Sequence, residues 1–236
     1  KESGASDLVR DAINAINGVP WRVNKQVLSI VEKLWASGGA IADMPRATEL
    51  PMPPLPKAFA EFPSDHQSLG DVVGDIEREM EERVERKNIK LSWKREAAAI
   101  RRRNVMDKAQ RVVFAYKLDL AQRFRQYPRI FFPHQIDFRG RAYPAPLFLN
   151  HQGDDVCRGL LEFAEPREMG EDGRRWLKIH IANCCGLSGV SFADREQWAD
   201  DNMERFAGWY DDPLENLGWT ELDSPFQALA AIYALA

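Results

Sequence analysis

The densest group of chemistry-bearing side chains in this 236-residue sequence is Asp137-Phe-Arg-Gly-Arg-Ala-Tyr143. Two arginines flank a glycine, with an aromatic residue on either side. A guanidinium presents planar N–H donors that match phosphate oxygens, and glycine lets a backbone come close to a ligand. Phe138 and Tyr143 add flat faces on which bases or sugars can stack. Asp137 can accept a hydrogen bond from a neighbouring arginine and fix its direction. Asp137, Arg139, Gly140, Arg141 and Tyr143 are therefore candidate contacts to a polyanion. A solvated turn with surface arginines has the same composition, and the charge leading into the turn is what favours binding.

The net charge of −4 hides that charge. Between Lys90 and Tyr143 there are fourteen Lys/Arg against four Asp/Glu. On the N-terminal side, Asp43 to Lys87 holds eleven acids against six bases, and Asp154 to Ala236 holds seventeen against seven. One basic block between two acidic ones makes a field that favours an anionic partner. Within the block Lys94, Arg101 and Lys108 recur every seven residues, followed by Arg111. A helix that is merely soluble pairs Glu with Lys at i, i+4, so an uncompensated row of one sign points to phosphate.

Other motifs carry less. Gly153-Asp154-Asp155 has the composition of a metal-binding aspartate pair, but Val156 to Phe163 reads as a helix, so an aspartate at a helix N-terminus is the better reading. His151, Cys157, His180, Cys184 and Cys185 show neither CxxC nor HxxxH spacing for zinc. His180 reads as a buried, satisfied histidine. No serine elbow, P-loop or dinucleotide fingerprint is present. The chain thus offers no catalytic residue and no metal ligand of its own. Three cysteines make no disulfide framework and fit a reducing compartment, and no apolar run reaches the roughly 18 residues of a membrane span.

The elements that must position these groups are mostly helical, with an α+β class expected. Asp7–Asn17 and Pro20–Trp35 have helical periodicity, the second stopping at Gly38-Gly39. Six prolines between 43 and 64 mark an extended connector. Helix returns from Asp71 to Arg86, with a break expected near Asn88. Trp93 to Tyr127, free of Pro and Gly, reads as an arm on the order of 50 Å long. Its apolar stripe is read as Ala98, Val105, Ala109, Val112, Tyr116 and Leu120. Ile130–Phe132 and Ile136–Tyr143 read as a hairpin-like pair. Helical patterns follow at 156–163, 173–184 and 192–210. Last comes Pro225–Ala236, an apolar helix with Ser224 as N-cap. That helix has no stop signal, so the sequence is expected to be a piece of a longer chain.

Phe132-Pro-His-Gln-Ile-Asp-Phe-Arg-Gly-Arg-Ala-Tyr143 resembles the DxxGR segment of single-subunit DNA-directed RNA polymerases, the bacteriophage and mitochondrial type. The similarity continues through Asn150–Asp155, Gly159–Leu161, Trp176–His180, Ala182-Asn183, Pro213–Glu215 and Asp223–Phe226. Upstream, Trp21–Leu28 and Glu49–Pro53 are similar to the end of that family's N-terminal region. Residues 57–90 match least.

The resemblance implies part of a right-hand polymerase. Residues 1–65 would end the N-terminal domain, 66–127 form a helical thumb and 128–236 begin the palm. Asp137, Arg139, Gly140 and Arg141 would lie against the template strand and RNA–DNA hybrid, with Tyr143 beside them. Arg158 falls where the family often has a basic residue facing nucleic acid. Arg101, Lys108 and Arg111 carry over only as a class of thumb cations. The family's two magnesium-binding aspartates and its catalytic lysine and tyrosine lie beyond Ala236, so Mg2+ belongs to the full enzyme. Its ligands are not in this segment, which is expected to be inactive alone. Implied partners are template DNA, RNA transcript and nucleoside triphosphates, with no membrane and a monomeric enzyme. The expected location is the cytoplasm of a phage-infected bacterium, with the mitochondrial matrix as the alternative. Two rival readings are a non-catalytic nucleic-acid-binding module derived from such a polymerase, and a helical interaction protein without nucleic acid.

Overall fold

The computed structural model describes residues 2–57 and 74–236, with side chains from Asp7 onward and, in the 74–82 stretch, at Met80 alone. The expected start of a helix at Asp71 and the boundary at 65–66 lie outside the described residues. The chain forms two compact units, Lys1–Ala47 with Arg111–Ala236, and Thr48–Gln110.

The first unit begins with α1 (Glu2–Asn17), β1 (Trp21–Val23) and α2 (Lys25–Ala36). Asn24 starts α2 by accepting a hydrogen bond from the Val27 amide at 3.1 Å. Val27, Leu28, Ile30, Val31 and Leu34 then face inward, the i, i+3, i+4 row that buries one side of a helix. Gly38 and Gly39 stop it with positive φ, and a Cβ at Gly39 would sit 2.3 Å from the Pro45 carbonyl oxygen. The unit resumes in the last turns of α3 (Gly74–Phe124). It continues through β2 (His134–Ile136), β3 (Ala142–Pro144), α4 (Asp155–Gly159), β4 (Leu161–Phe163), α5 (Gly170–Cys184), α6 (Phe192–Asp201) and α7 (Met203–Asp211). A 3-10 turn at Leu217–Glu221 and α8 (Pro225–Leu235) complete it. The class is α+β and mostly helical.

Helix α8 is central. Phe226, Ala228, Leu229, Ala231, Ile232 and Leu235 are all buried, as an all-round apolar helix must be. Its N-terminus is not capped by the Ser224 side chain. Instead Asp155, 71 residues earlier, accepts from the Phe226 amide at 2.7 Å and from the Gln227 amide at 3.1 Å. Gly159 lets α4 close on α8, since a Cβ there would meet Phe226 backbone at 2.7 Å. β1 pairs antiparallel with β4, Arg22 opposite Glu162.

Several expected elements differ. The 156–163 stretch is α4 followed by β4, because Leu161–Phe163 finds a strand partner 140 residues away in β1. Ile130 bridges Trp21, and the hairpin is made by His134–Ile136 with Ala142–Pro144. The 192–210 helix divides at Asn202, whose side chain donates to the Trp198 carbonyl. No break occurs at Asn88, which lies inside α3.

Of the stripe read along α3, Leu120 packs against the core and Ala98 is half-buried, but the rest of it faces outward. Val105, Val112 and Tyr116 are exposed, while Phe114, Leu118 and Ala121 pack into the first unit, Phe114 against Trp35 with ring centroids 4.6 Å apart. Phe114, Leu118 and Ala121 follow one another at four and three residues, the spacing of one helix face, and burying Phe114 and Leu118 on it sets the phase.

In the second unit the proline-rich segment is tied to α3. Asn104 bonds both the amide and carbonyl of Leu50 at 2.8 and 2.9 Å, and the Trp93 indole donates to Pro53 at 3.2 Å. No described helix is long and apolar enough to cross a membrane.

Candidate nucleic-acid interface

The Arg-Gly-Arg bend is the tip of the β2–β3 hairpin, in which Gln135 lies opposite Tyr143 and Ile136 opposite Ala142. The Asp137 amide donates to the Arg141 carbonyl and the Gly140 amide to the Asp137 carbonyl, both at 3.0 Å. Gly140 has φ +80°, which an L side chain rarely adopts, so the tip requires glycine. Asp137 does not orient a guanidinium as expected. Its Oδ1 accepts the backbone amides of Arg139 and Arg141, each at 2.9 Å. The short carboxylate reaches amides two and four residues on more easily than a flexible arginine end, the usual Asx arrangement.

That lock leaves the charged ends uncommitted. Arg139 and Arg141 are exposed and form no ion pair among the described residues. The Arg139 guanidinium lies 5.1 Å from the Phe138 ring centroid, and Phe138 is 92% exposed. Tyr143 is also exposed.

Beneath the tip the hairpin is anchored by groups that sequence spacing did not reveal. The His134 amide and its Nδ1 both lie 2.9 Å from Asn17 Oδ1. His134 Nε2 is 3.3 Å from His151 Nε2, and His151 stacks on Trp21 at 4.7 Å. Burial first, and the neighbouring His134 second, hold the His151 pKa below the usual imidazole range. No local signal links residues 17, 134 and 151; only the fold joins them.

The other candidates fall in separate places. Arg158 is exposed in the last turn of α4. Arg111 is half-buried in the first unit, whereas Arg101 and Lys108 are exposed in the second. His180 is exposed, not buried as read, and its Nε2 lies 3.6 Å from Cys184 Sγ.

The paired aspartates do not fit a metal. Asp154 Oδ1 accepts the Cys157 amide at 3.2 Å as the cap of α4, and Oδ2 is ion-paired to Lys117. Burial alone would raise the Asp154 pKa, but Lys117 and Cys157 outweigh it and lower it. Asp155 caps α8 and also takes the Gln227 side-chain amide at 3.0 Å. Burial raises its pKa despite those donors. Both carboxylates are thus committed within the fold. Burial also lifts the Cys157 and Cys184 thiols to about 12 and Cys185 to about 11, far from the thiolate that nucleophile or metal ligand requires. Among the described residues no three His, Cys, Asp or Glu side chains gather as a metal site.

Residues 167–236 match the family model of DNA-dependent RNA polymerase. Over 96% of its length the chain is 36% identical to DNA-directed RNA polymerase 2, chloroplastic/mitochondrial, of Arabidopsis thaliana, and covers 20% of that protein. Over its full length it is 36% identical to the mitochondrial DNA-directed RNA polymerase of Schizosaccharomyces pombe, covering 18%. With the mitochondrial enzyme of Neurospora crassa it shares 32% identity over 99% of its length, covering 15%. The chain therefore spans about a fifth or less of the curated relatives it matches.

Proposed function

We propose that this chain, a segment of the single-subunit DNA-directed RNA polymerase family, holds the template DNA–RNA hybrid while the rest of such an enzyme performs nucleotidyl transfer. One observation carries the reading: the hairpin tip is locked through its backbone, yet presents two unpaired guanidiniums and an open aromatic ring. A phosphate-binding turn needs donors in a fixed place whose charge nothing else neutralises. Asp137 supplies the fixing and Gly140 the bend. Arg139 and Arg141 supply the charge, while Phe138 and Tyr143 lie ready for sugar or base. Contacts of this kind position a strand without reading its sequence, so binding should be steeply salt-dependent and weakly sequence-dependent.

Arg158, Arg111, Arg101 and Lys108 add positive charge on the same reading, with the helical arm as thumb and the chain from 128 onward as the opening part of the palm. Template, transcript and nucleoside triphosphates are the partners of the whole enzyme. Mg2+ would serve its chemistry elsewhere, because Asp154 and Asp155 are engaged in capping and no step passes through them. The relatives' printed names favour an organelle over a phage-infected cell, so the mitochondrial alternative is the location we propose.

The test is retention of a hybrid. In a polymerase containing this segment, Arg141→Ala should shorten the lifetime of a stalled complex and raise release of short RNAs. Unchanged lifetime and unchanged salt slope would sink the proposal. Electrophoretic mobility of the 236-residue chain with a hybrid distinguishes the helical interaction protein, which would give no shift.

A further inference from the structure

We propose that a second nucleic-acid contact lies in the cleft between the start of α2, the end of α3 and strand β4, and that it holds the phosphodiester backbone of a single strand. The cleft encloses about 650 Å³ and is lined by Arg22, Lys25, Arg125, Tyr127, Arg129 and Glu162, among others. All six lie in the first unit, and none belongs to the hairpin. The volume falls in the range of sites that enclose small ligands, about 300–1,000 Å³.

Four cations line this cleft with one carboxylate. Arg22 Nε bonds Glu162 Oε1 at 2.6 Å across the β1–β4 pair. Arg125 Nη1 lies 3.7 Å from Glu32 and Arg129 Nη2 lies 3.3 Å from Glu165, neither of which lines the cleft. Each contact occupies one nitrogen of a fork that carries five N–H donors, so every guanidinium is oriented and keeps donors for a ligand. Lys25 forms no ion pair among the described residues, and the first turn of α2 contains no acidic residue. Half-exposed Tyr127 is braced at 5.9 Å from the Phe124 ring. A duplex keeps its base faces stacked inside, so only an unpaired nucleotide can lie on that ring while its phosphates meet the arginines. A cationic groove with an aromatic platform is the arrangement that tracks a single strand.

The experiment is fluorescence anisotropy of the 236-residue chain with labelled eight-nucleotide single-stranded RNA, the same DNA strand and an RNA–DNA hybrid, from 50 to 300 mM salt. Replacing Lys25, Arg125 and Arg129 together by Gln should weaken single-strand binding at least about tenfold. The log–log salt slope should shrink by about 2, since each phosphate left without its cation removes about 0.7. Tyr127→Ala should cost about tenfold with the slope unchanged. Equal losses for RNA and DNA identify the phosphodiester alone as the ligand; a loss confined to RNA identifies a strand read also through its 2′-hydroxyls. If the triple variant melts early, Lys25→Glu carries the test, as it breaks no ion pair. Unchanged single-strand affinity and slope in these variants overturn the inference. Arg139→Gln with Arg141→Gln serves as the control: loss of hybrid binding there, with the cleft variants silent, rejects the cleft and keeps the hairpin, and the reverse pattern rejects only the hairpin.

Discussion

Two short turns of the first unit, Asp137–Arg141 and Gly153–Asp155, each join a glycine to charged residues, and both invite a functional reading. In the first, the carboxylate is engaged by backbone amides and the cations remain open to solvent. In the second, Asp154 serves α4 and Lys117, while Asp155 serves α8. A charged motif can act on a ligand only with the donors or acceptors that its own fold leaves free. The hydrogen bonds each turn makes, more than its motif, separate the two.

That contrast can be broken most forcefully at Asp155. Asp155→Ala should cost about 2–4 kcal/mol of unfolding free energy in urea denaturation, because it leaves the first amides of a buried helix without acceptors. A loss below about 0.5 kcal/mol would mean that Asp155 is not structural and would reopen a role at a ligand. Gly159→Ala, where the new Cβ meets Phe226 backbone, should cost about 1–3 kcal/mol by the same measurement.

Much of this was legible beforehand. The N-terminal aspartate of α4, the stop of α2 at Gly38-Gly39 and the buried apolar α8 follow from local rules that a sequence displays directly. Asp155 as the cap of α8 was not legible, because Ser224 stands in the ordinary capping place and the true acceptor is 71 residues away. β4 was hidden for a similar reason, since three apolar-polar residues become a strand only beside β1. The phase of α3 was misread over much of its length because alanine and valine occur on several of its faces, and it is Phe114, Leu118 and Ala121, with Leu120 at the edge, that pack into the core of the first unit. At the site, the arginines could be named from composition, whereas the Asn17–His134–His151 support required the fold.

The remaining predictions sharpen the comparison with smaller effects. The hairpin variant Arg139→Ala/Arg141→Ala should change stability by no more than about 0.5 kcal/mol, since its side chains are exposed and unpaired. The same variant should reduce the salt slope of hybrid binding by about 0.9 for each phosphate that an arginine no longer neutralises. A substantial fall in melting temperature would instead mark these arginines as structural. The histidine pair gives a pH effect of definite sign. His151 has a lowered pKa in the fold, so the unfolded chain binds more protons and stability rises with pH. The melting temperature should therefore drop as pH falls below about 6.5, the unperturbed imidazole value. His151→Gln should flatten that drop.

The pairing of Trp21–Val23 with Leu161–Phe163 also dictates an order of events during synthesis. At the roughly 5–20 residues per second of a ribosome, the first strand waits about 7–28 s before its mate has been translated. Throughout that interval Trp21 and the apolar side of the following helix are unsheltered. Assembly of this body must be late and long-range, and slow relative to the local winding of its helices. An early-emerging segment of this kind is where a chaperone would be expected to bind.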